Sequence, residues 1–440
     1  MAPPYPKLVA FDLDGTAWSG WLKEERFGRK GWVNENQKED NIGVVEIRSS
    51  GDMILIDRMN ADDTRSQCWV ARDLPIIIRD LRKRGTLIAI ASRNTHKAMA
   101  IRALWMIKVK DPKDGRVKPL TDLIDYLEVQ DVPKTTHFER FKNWSGRRFH
   151  QMMLIDDKAE NRIVEWWQGA TFVKVKDSNS GVTWTDYNEG LDKWRRYRQI
   201  QFRMPGRIRG ASRTKLIGYA SADAATAQRY KRGERRLATG RPARWGYALY
   251  VADDPRVSEW FATWRRENDP ANHWVCAIYT RDWDAFRAMD KVWIPNNKTR
   301  QVDNMHQTDA QTAESQERLD NWIKDAYWVQ EPFIAFCRHQ RMTRQDNDMY
   351  WLGARERFSE MVIYPNLQDA LFYGEPLPLA EAVARRENTR SWPVLDWHMR
   401  GEEWNIQANG ETVRDFEKHG EIFSFIRRDL YPSATPLAIL

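Results

Sequence analysis

The stretch Met152-Met-Leu-Ile-Asp-Asp-Lys-Ala-Glu-Asn-Arg162 constrains the fold more than any other in this chain. A short apolar run stops abruptly at Asp156-Asp157, and a third carboxylate, Glu160, follows. Such a run reads as a buried parallel strand that delivers side chains at its carboxyl end. Open α/β sheets place their ligands at that edge. Two adjacent acids there can hold a divalent cation or a cationic group of a substrate. Glu160, one helical turn on, would face the same crevice. The plainer alternative is an acidic helix cap after a strand.

The same grammar recurs upstream. Lys7-Leu-Val-Ala-Phe-Asp-Leu-Asp-Gly-Thr16 is a second apolar run ending in acids, with Gly15 permitting a tight turn. Asp12 and Asp14, two apart at a strand end, can act as nucleophile and general acid/base around one phosphoryl group. Residues 19–63 are polar and broken by glycines, with a hairpin expected around Val44–Asp57, and they read as an insertion covering the site. Leu74–Arg84 has helical spacing and Gly85 as its stop. Thr86–Ala91 reads as a strand ending at the hydroxyl of Ser92, and His96–Met106 as the next helix. Asp122–Leu127 reads as a short helix. Lys134 could hold a phosphate as a point charge, or lie on the surface. Ala170–Lys176 supplies a last strand. This alternation predicts a doubly wound α/β domain with a parallel sheet over residues 1–192.

A chain of 440 residues is too long for one ordinary core. The charge is unevenly spread. Between Lys193 and Arg244, sixteen Lys/Arg face two acids, giving +14, so the total of +8 leaves −6 elsewhere. We place a basic linker at 193–214 and a tryptophan-rich α+β domain at 215–440. Arg195, Arg196 and Arg198, interleaved with Trp194 and Tyr197, could meet the phosphates of a polyanion such as RNA. The aromatics could equally form one packed helix face. In the second domain, strands are expected at Lys215–Ser221, Trp245–Asp254 and Phe358–Tyr364, and a helix at Pro255–Trp264. These faintly resemble the mixed sheet of ADP-ribosyltransferases. Tyr219 and Ser221 stand where that family needs arginine or histidine, whatever the role of Glu360, so a partner-binding domain is expected rather than NAD chemistry. Cys68, Cys276 and Cys337 show no metal-ligand spacing and fit a reducing compartment. The start resembles no signal peptide, and no apolar run reaches the roughly 18 residues of a membrane span. A cytoplasmic protein with no membrane partner is expected.

Phe11-Asp-Leu-Asp-Gly-Thr16, Ala91-Ser-Arg93, Lys134-Thr-Thr-His-Phe-Glu-Arg140 and Leu154-Ile-Asp-Asp157 occur in the order of the four motifs of the haloacid-dehalogenase (HAD) superfamily. Their wording is most similar to its magnesium-dependent phosphatase branch. The resemblance implies a HAD-like fold with Asp12 as nucleophile, Asp14 as general acid/base, and Ser92 and Lys134 on the phosphate. It also implies that Asp156 or Asp157 completes a Mg²⁺ site with Asp12 and the Leu13 carbonyl.

A second resemblance uses the same acids. Asp156-Asp-Lys-Ala-Glu160 is similar to the Asp-Asp-x-x-Glu pattern of the fungal arginine-containing cyclodipeptide synthases. It implies a tRNA-dependent synthase that joins arginine from arginyl-tRNA to a second aminoacyl group as a cyclic dipeptide, in secondary metabolism and without a cofactor. Asp156, Asp157 and Glu160 would then bind the guanidinium and move a proton, and the arginines of the basic segment would hold aminoacyl-tRNA. The sheer size of the chain beyond the first domain favours this reading. The alternatives are a Mg²⁺-dependent phosphatase working through an aspartyl phosphate, and a non-catalytic RNA- or protein-binding module on a HAD-like scaffold.

Overall fold

The computed structural model describes residues 4–27, 42–47, 51–57, 64–202, 214–235, 248–264, 272–299, 309–339, 358–364, 367–368, 372–388, 392–395, 397 and 400–418. The chain divides into two compact units, Met1–Arg195 and Arg196–Leu440.

The first unit is built on five parallel strands. Their order across the sheet is Thr171–Lys174, Met152–Asp156, Leu8–Phe11, Leu87–Ser92 and Tyr126–Val129. Val9, Phe11, Ile88, Ile90, Met153 and Ile155 face one core, and Leu8, Ala10, Ala89, Ala91, Met152 and Leu154 face another. Helices cover both faces, which is why these strands are continuously apolar rather than alternating. Leu74, Ile77, Ile78 and Leu81 of helix Leu74–Arg84 pack on the first face, and Phe138 and Phe141 on the second. Gly85 ends that first helix at φ 69°, the left-handed turn expected of it.

The chain lays down the strands on one side of Leu8–Phe11, then crosses to the other side for Met152–Asp156. The switch point therefore lies between these two strands, where such sheets open a crevice. Phe11 stands opposite Ile155, and Asp12 N donates to the Ile155 carbonyl at 3.0 Å. The two acidic termini consequently leave the sheet side by side.

The structure corrects some local readings. Asp122–Leu127 is not a helix: a single 3-10 turn, Leu120–Asp122, leads into the edge strand Tyr126–Val129. A four-residue segment carries no decisive period, and here the free edge of Leu87–Ser92 claims it. The hairpin in the insertion is present as Ile42–Ile47 paired with Asp52–Asp57, and Gln67–Trp69 adds a third strand. This small sheet is tied to the turn after the first strand, because Trp18 bridges Val70 and Ser19 N donates to the Trp69 carbonyl at 2.7 Å. Insertion residues 28–41 and 58–63 lie outside the described residues. The basic segment does not begin as a linker. Residues 193–202 continue helix Trp184–Phe202, since Tyr187, Leu191 and Trp194 recur at helical spacing and are buried in the first core. Residues 203–213, where the rest of the linker was placed, lie outside the described residues.

The second unit is an α+β domain on an eight-stranded sheet. Its order is Phe372–Pro378, His273–Thr280, Leu216–Asp223, Leu249–Ala252, Phe358–Ile363, Phe333–His339, Asp290–Ile294 and Ile406–Gln407. Pairing is antiparallel through Phe333–His339 and parallel for the last two neighbours. Trp293, Trp397 and Trp404 are buried in its core with Phe336. Tyr219 is buried and donates its hydroxyl to the Pro393 carbonyl at 2.7 Å, a structural role. Among the described residues, no helix is long and apolar enough to cross a membrane.

Candidate active site

The crevice at the switch point gathers residues from the ends of three strands and the start of one helix. Asp12 and Asp14 follow Leu8–Phe11, Ser92 ends Leu87–Ser92, Lys134 opens helix Lys134–Ser145, and Asp156 and Asp157 end Met152–Asp156. Asp12, Asp14, Ser92, Lys134, Asp157 and Glu160 all line this cavity of about 510 Å³. The sheet topology thus brings together four sequence segments, with Asp12 and Glu160 148 residues apart.

Lys134 is the hub. Its Nζ lies 2.8 Å from Asp12 Oδ1 and 2.9 Å from Asp156 Oδ2, and it also donates to the Ala91 carbonyl. Burial works against the lysine's charge, but Asp12 and Asp156 outweigh it and raise its pKa. Burial also pushes the Asp12 carboxyl up to about 7, with Lys134 opposing and Asp156 adding to the rise. Asp156, fully buried, has little capacity left. Besides Lys134 it accepts from Lys158 N at 2.8 Å and from Asn161 Nδ2 at 2.8 and 2.9 Å. Asp157 differs. Its Oδ2 is 3.3 Å from Lys158 Nζ, while its buried Oδ1 has no hydrogen-bond partner. Burial first, then the Asp156 charge, raises the Asp157 pKa.

One carboxylate oxygen each from Asp12, Asp156 and Asp157 lies within 4.8 Å of the others. An all-oxygen set with one orphaned buried oxygen fits a hard divalent cation such as Mg²⁺. Asp12 and Asp157 are the better donors, because Asp156 is spent on Lys134, Lys158 and Asn161. The Leu13 carbonyl is not available for this role. It accepts from the backbone N–H groups of Thr16, Ala17 and Trp18 and closes the turn instead.

Asp14 is held by groups that the motif gives no hint of. Trp18 Nε1 and Leu22 N donate to its Oδ1 at 2.8 and 3.0 Å, and Asn94 Nδ2 donates to its Oδ2 at 2.8 Å. Burial raises the Asp14 pKa against these hydrogen bonds. Asn94, Trp18 and Asn161 were missed because amides and indoles have no strand-end signature. Only their proximity to the motifs, two residues beyond Ser92 and four beyond Asp14, could have flagged the first two.

The arginines singled out from sequence do not join this site. Arg195 donates to the Pro4 carbonyl at 3.2 Å and to Asp192 at 2.8 Å, and Arg196 donates to the Glu331 carbonyl at 2.6 Å. Burial lowers the pKa of Arg198. None of the three is among the described residues lining the crevice.

Comparison with known proteins agrees with this geometry. The acid phosphatase family model matches residues 4–197. A HAD-like hydrolase superfamily protein of Schizosaccharomyces pombe is 29% identical over 177 residues, 40% of this chain and 89% of its own length. A Saccharomyces cerevisiae protein named as a candidate magnesium-dependent phosphatase is 28% identical over 42% of this chain and 96% of its own. Human magnesium-dependent phosphatase 1 is 25% identical over 42% of this chain and 86% of its own.

These matches overturn the cyclodipeptide-synthase reading, together with its use of arginyl-tRNA and other aminoacyl-tRNAs. The physical reason is visible in the site. Asp156 is already saturated by Lys134, Lys158 and Asn161, so Asp156-Asp157-x-x-Glu160 is no vacant clamp for a guanidinium. The Asp-Asp-x-x-Glu spacing is the end of a phosphatase strand running into a short turn. The N-terminal region is a HAD-like domain of the acid-phosphatase, magnesium-dependent phosphatase type.

Proposed function

We propose that this chain is a Mg²⁺-dependent phosphomonoesterase that works through an aspartyl phosphate. The observation that carries this reading is Lys134 lying between Asp12 and Asp156, beside the orphaned oxygen of Asp157, at the switch point of the sheet. Asp12 attacks phosphorus as the carboxylate, and the bond from phosphorus to the leaving oxygen breaks. Asp14 gives that oxygen a proton. In the second half Asp14 takes a proton from water, the water oxygen attacks phosphorus, and Asp12 is released. Ser92 holds a phosphoryl oxygen. Lys134, its three N–H groups directed at Asp12, Asp156 and the Ala91 carbonyl, acts on the phosphoryl group as a nearby positive charge and opposes the rise that burial gives the Asp12 pKa. Asp12 and Asp157 would hold Mg²⁺, with Asp156 fixing Lys134 between them. When bound, the cation neutralises charge on the transferring group.

The test is phosphate release from p-nitrophenyl phosphate with and without Mg²⁺. Activity should require the cation, vanish with EDTA, and fall by at least about 10³-fold in Asp12→Asn, which keeps the shape but removes the nucleophile. Release that persists in Asp12→Asn would rule the mechanism out.

A further inference from the structure

We infer that Asn94 is a positioning residue that makes Oδ2 of Asp14 the oxygen that delivers the proton to the leaving group. The inference rests on the phosphatase reading above and goes beyond it to the choice of atom. Asp14 Oδ1 accepts two N–H groups, from Trp18 Nε1 at 2.8 Å and Leu22 N at 3.0 Å. Both lone pairs of that oxygen are therefore committed, which leaves no place on it for a proton. Oδ2 accepts only one described donor, Asn94 Nδ2 at 2.8 Å, and keeps a lone pair for a proton. The carboxyl is thus split into a fixed end and a working end.

Asn94 can act this way only if its amide cannot turn over, and its own partners prevent that. Nδ2 also donates to the Leu22 carbonyl at 2.9 Å, and Oδ1 accepts from His96 N at 2.7 Å. A flipped amide would set Oδ1 against two acceptors and Nδ2 against a donor. Asn94 N in turn donates to Ser92 Oγ at 3.1 Å. The residue proposed to hold the phosphate and the residue proposed to donate the proton are therefore linked through one residue, the first by its backbone N–H and the second by its side-chain amide. Leu22 is clamped from both ends, by its N–H on Asp14 and its carbonyl on Asn94, so the segment after the first strand is part of the same device.

A proton donor matters in proportion to how poor the leaving group is. An alkoxide must be protonated as it departs, whereas p-nitrophenolate leaves without help. In Asn94→Ala the working oxygen loses its guide, so kcat on an alkyl phosphate should fall much further than kcat on p-nitrophenyl phosphate. The ratio of the two should shift by about 10- to 100-fold, a fraction of the roughly 10²- to 10⁴-fold that a positioned general acid contributes. Asn94→Asp, which keeps the shape but replaces the donor by an acceptor, should shift the ratio in the same direction. Trp18→Phe serves as the contrast: it removes a donor from the fixed oxygen and should move the ratio by less than Asn94→Ala. Equal loss on both substrates in Asn94→Ala and Asn94→Asp, with melting temperatures unchanged, would overturn the role of Asn94 while the phosphatase reading stood. If Asn94→Ala failed to fold, the isosteric Asn94→Asp would decide alone by the same ratio. A wild-type chain that released phosphate from neither substrate would overturn both.

Discussion

Gly15 shows how tightly single residues define this site. It sits at φ 72°, and a Cβ there would come within 2.6 Å of Asp157 Oδ2 and 2.8 Å of Asp157 Cγ. Two separate demands meet at one position: a left-handed turn after Asp14 and a close approach to the carboxylate with the orphaned oxygen. Gly15→Ala should therefore lower stability by about 1–3 kcal/mol through the strained backbone. It should also push Asp157 aside and raise the Mg²⁺ concentration needed for half-maximal phosphate release. A urea melt and a Mg²⁺ titration of activity check the two effects; a normal Mg²⁺ requirement would show that Asp157 is not a cation ligand. Gly15 was legible in the sequence as a turn. Its packing against Asp157 was not, because that contact joins residues 142 apart across the switch point.

At the scale of elements, helix Lys134–Ser145 joins stability to the site. Its first residue reaches the two aspartates, and one turn later His137 is fully buried, with its Nε2 lying 3.1 Å from the Gln130 carbonyl. Burial, then the nearby Lys134 charge, holds the His137 pKa down to about 4. The unfolded chain binds this proton near pH 6.5 and the folded one only near 4, so folding loses stability as pH falls through that window. Between pH 7 and pH 5 the loss from His137 is about 2 kcal/mol. Asp12, whose pKa is raised to about 7, works in the opposite direction throughout that range, so the wild-type curve alone would mix the two. Chemical denaturation of the wild type and of His137→Gln at both pH values separates them. The difference between the two proteins should shrink at pH 5 by about that amount, and an unchanged difference would show that His137 is protonated in the folded state. The buried central strands were legible because both faces of a parallel sheet are apolar. The edge strand Tyr126–Val129 was not, since its four residues acquire a structure only from the neighbour they pair with.

For the whole molecule, the question is where the phosphatase domain ends. Charge and composition alone set the boundary at residue 192, where the arginine-rich segment begins. The fold sets it later, because helix Trp184–Phe202 runs through that point and carries Trp194 into the first core, 1% exposed. Trp194 Nε1 also donates to the His150 carbonyl at 3.0 Å, next to the strand that ends in Asp156. A stretch that is cationic on its solvent side and apolar at every third or fourth residue looks like a linker to a charge count and like a helix to a period count. Here the period decides. The matched relatives are spanned over 86–96% of their own lengths, and the family match reaches residue 197. A fragment of residues 1–202 should therefore fold and keep Mg²⁺-dependent phosphate release within about threefold of the whole chain. A fragment of residues 1–192 loses the Trp194 side chain and its hydrogen bond, a change that costs about 3–5 kcal/mol in well-packed cores. With domain stabilities of about 5–15 kcal/mol, that fragment should melt about 6–20 °C lower or fail to accumulate. Thermal melts and phosphate release for both fragments make the comparison. Equal stability of the two would mean that the helix is dispensable and that the boundary drawn from charge was the physical one.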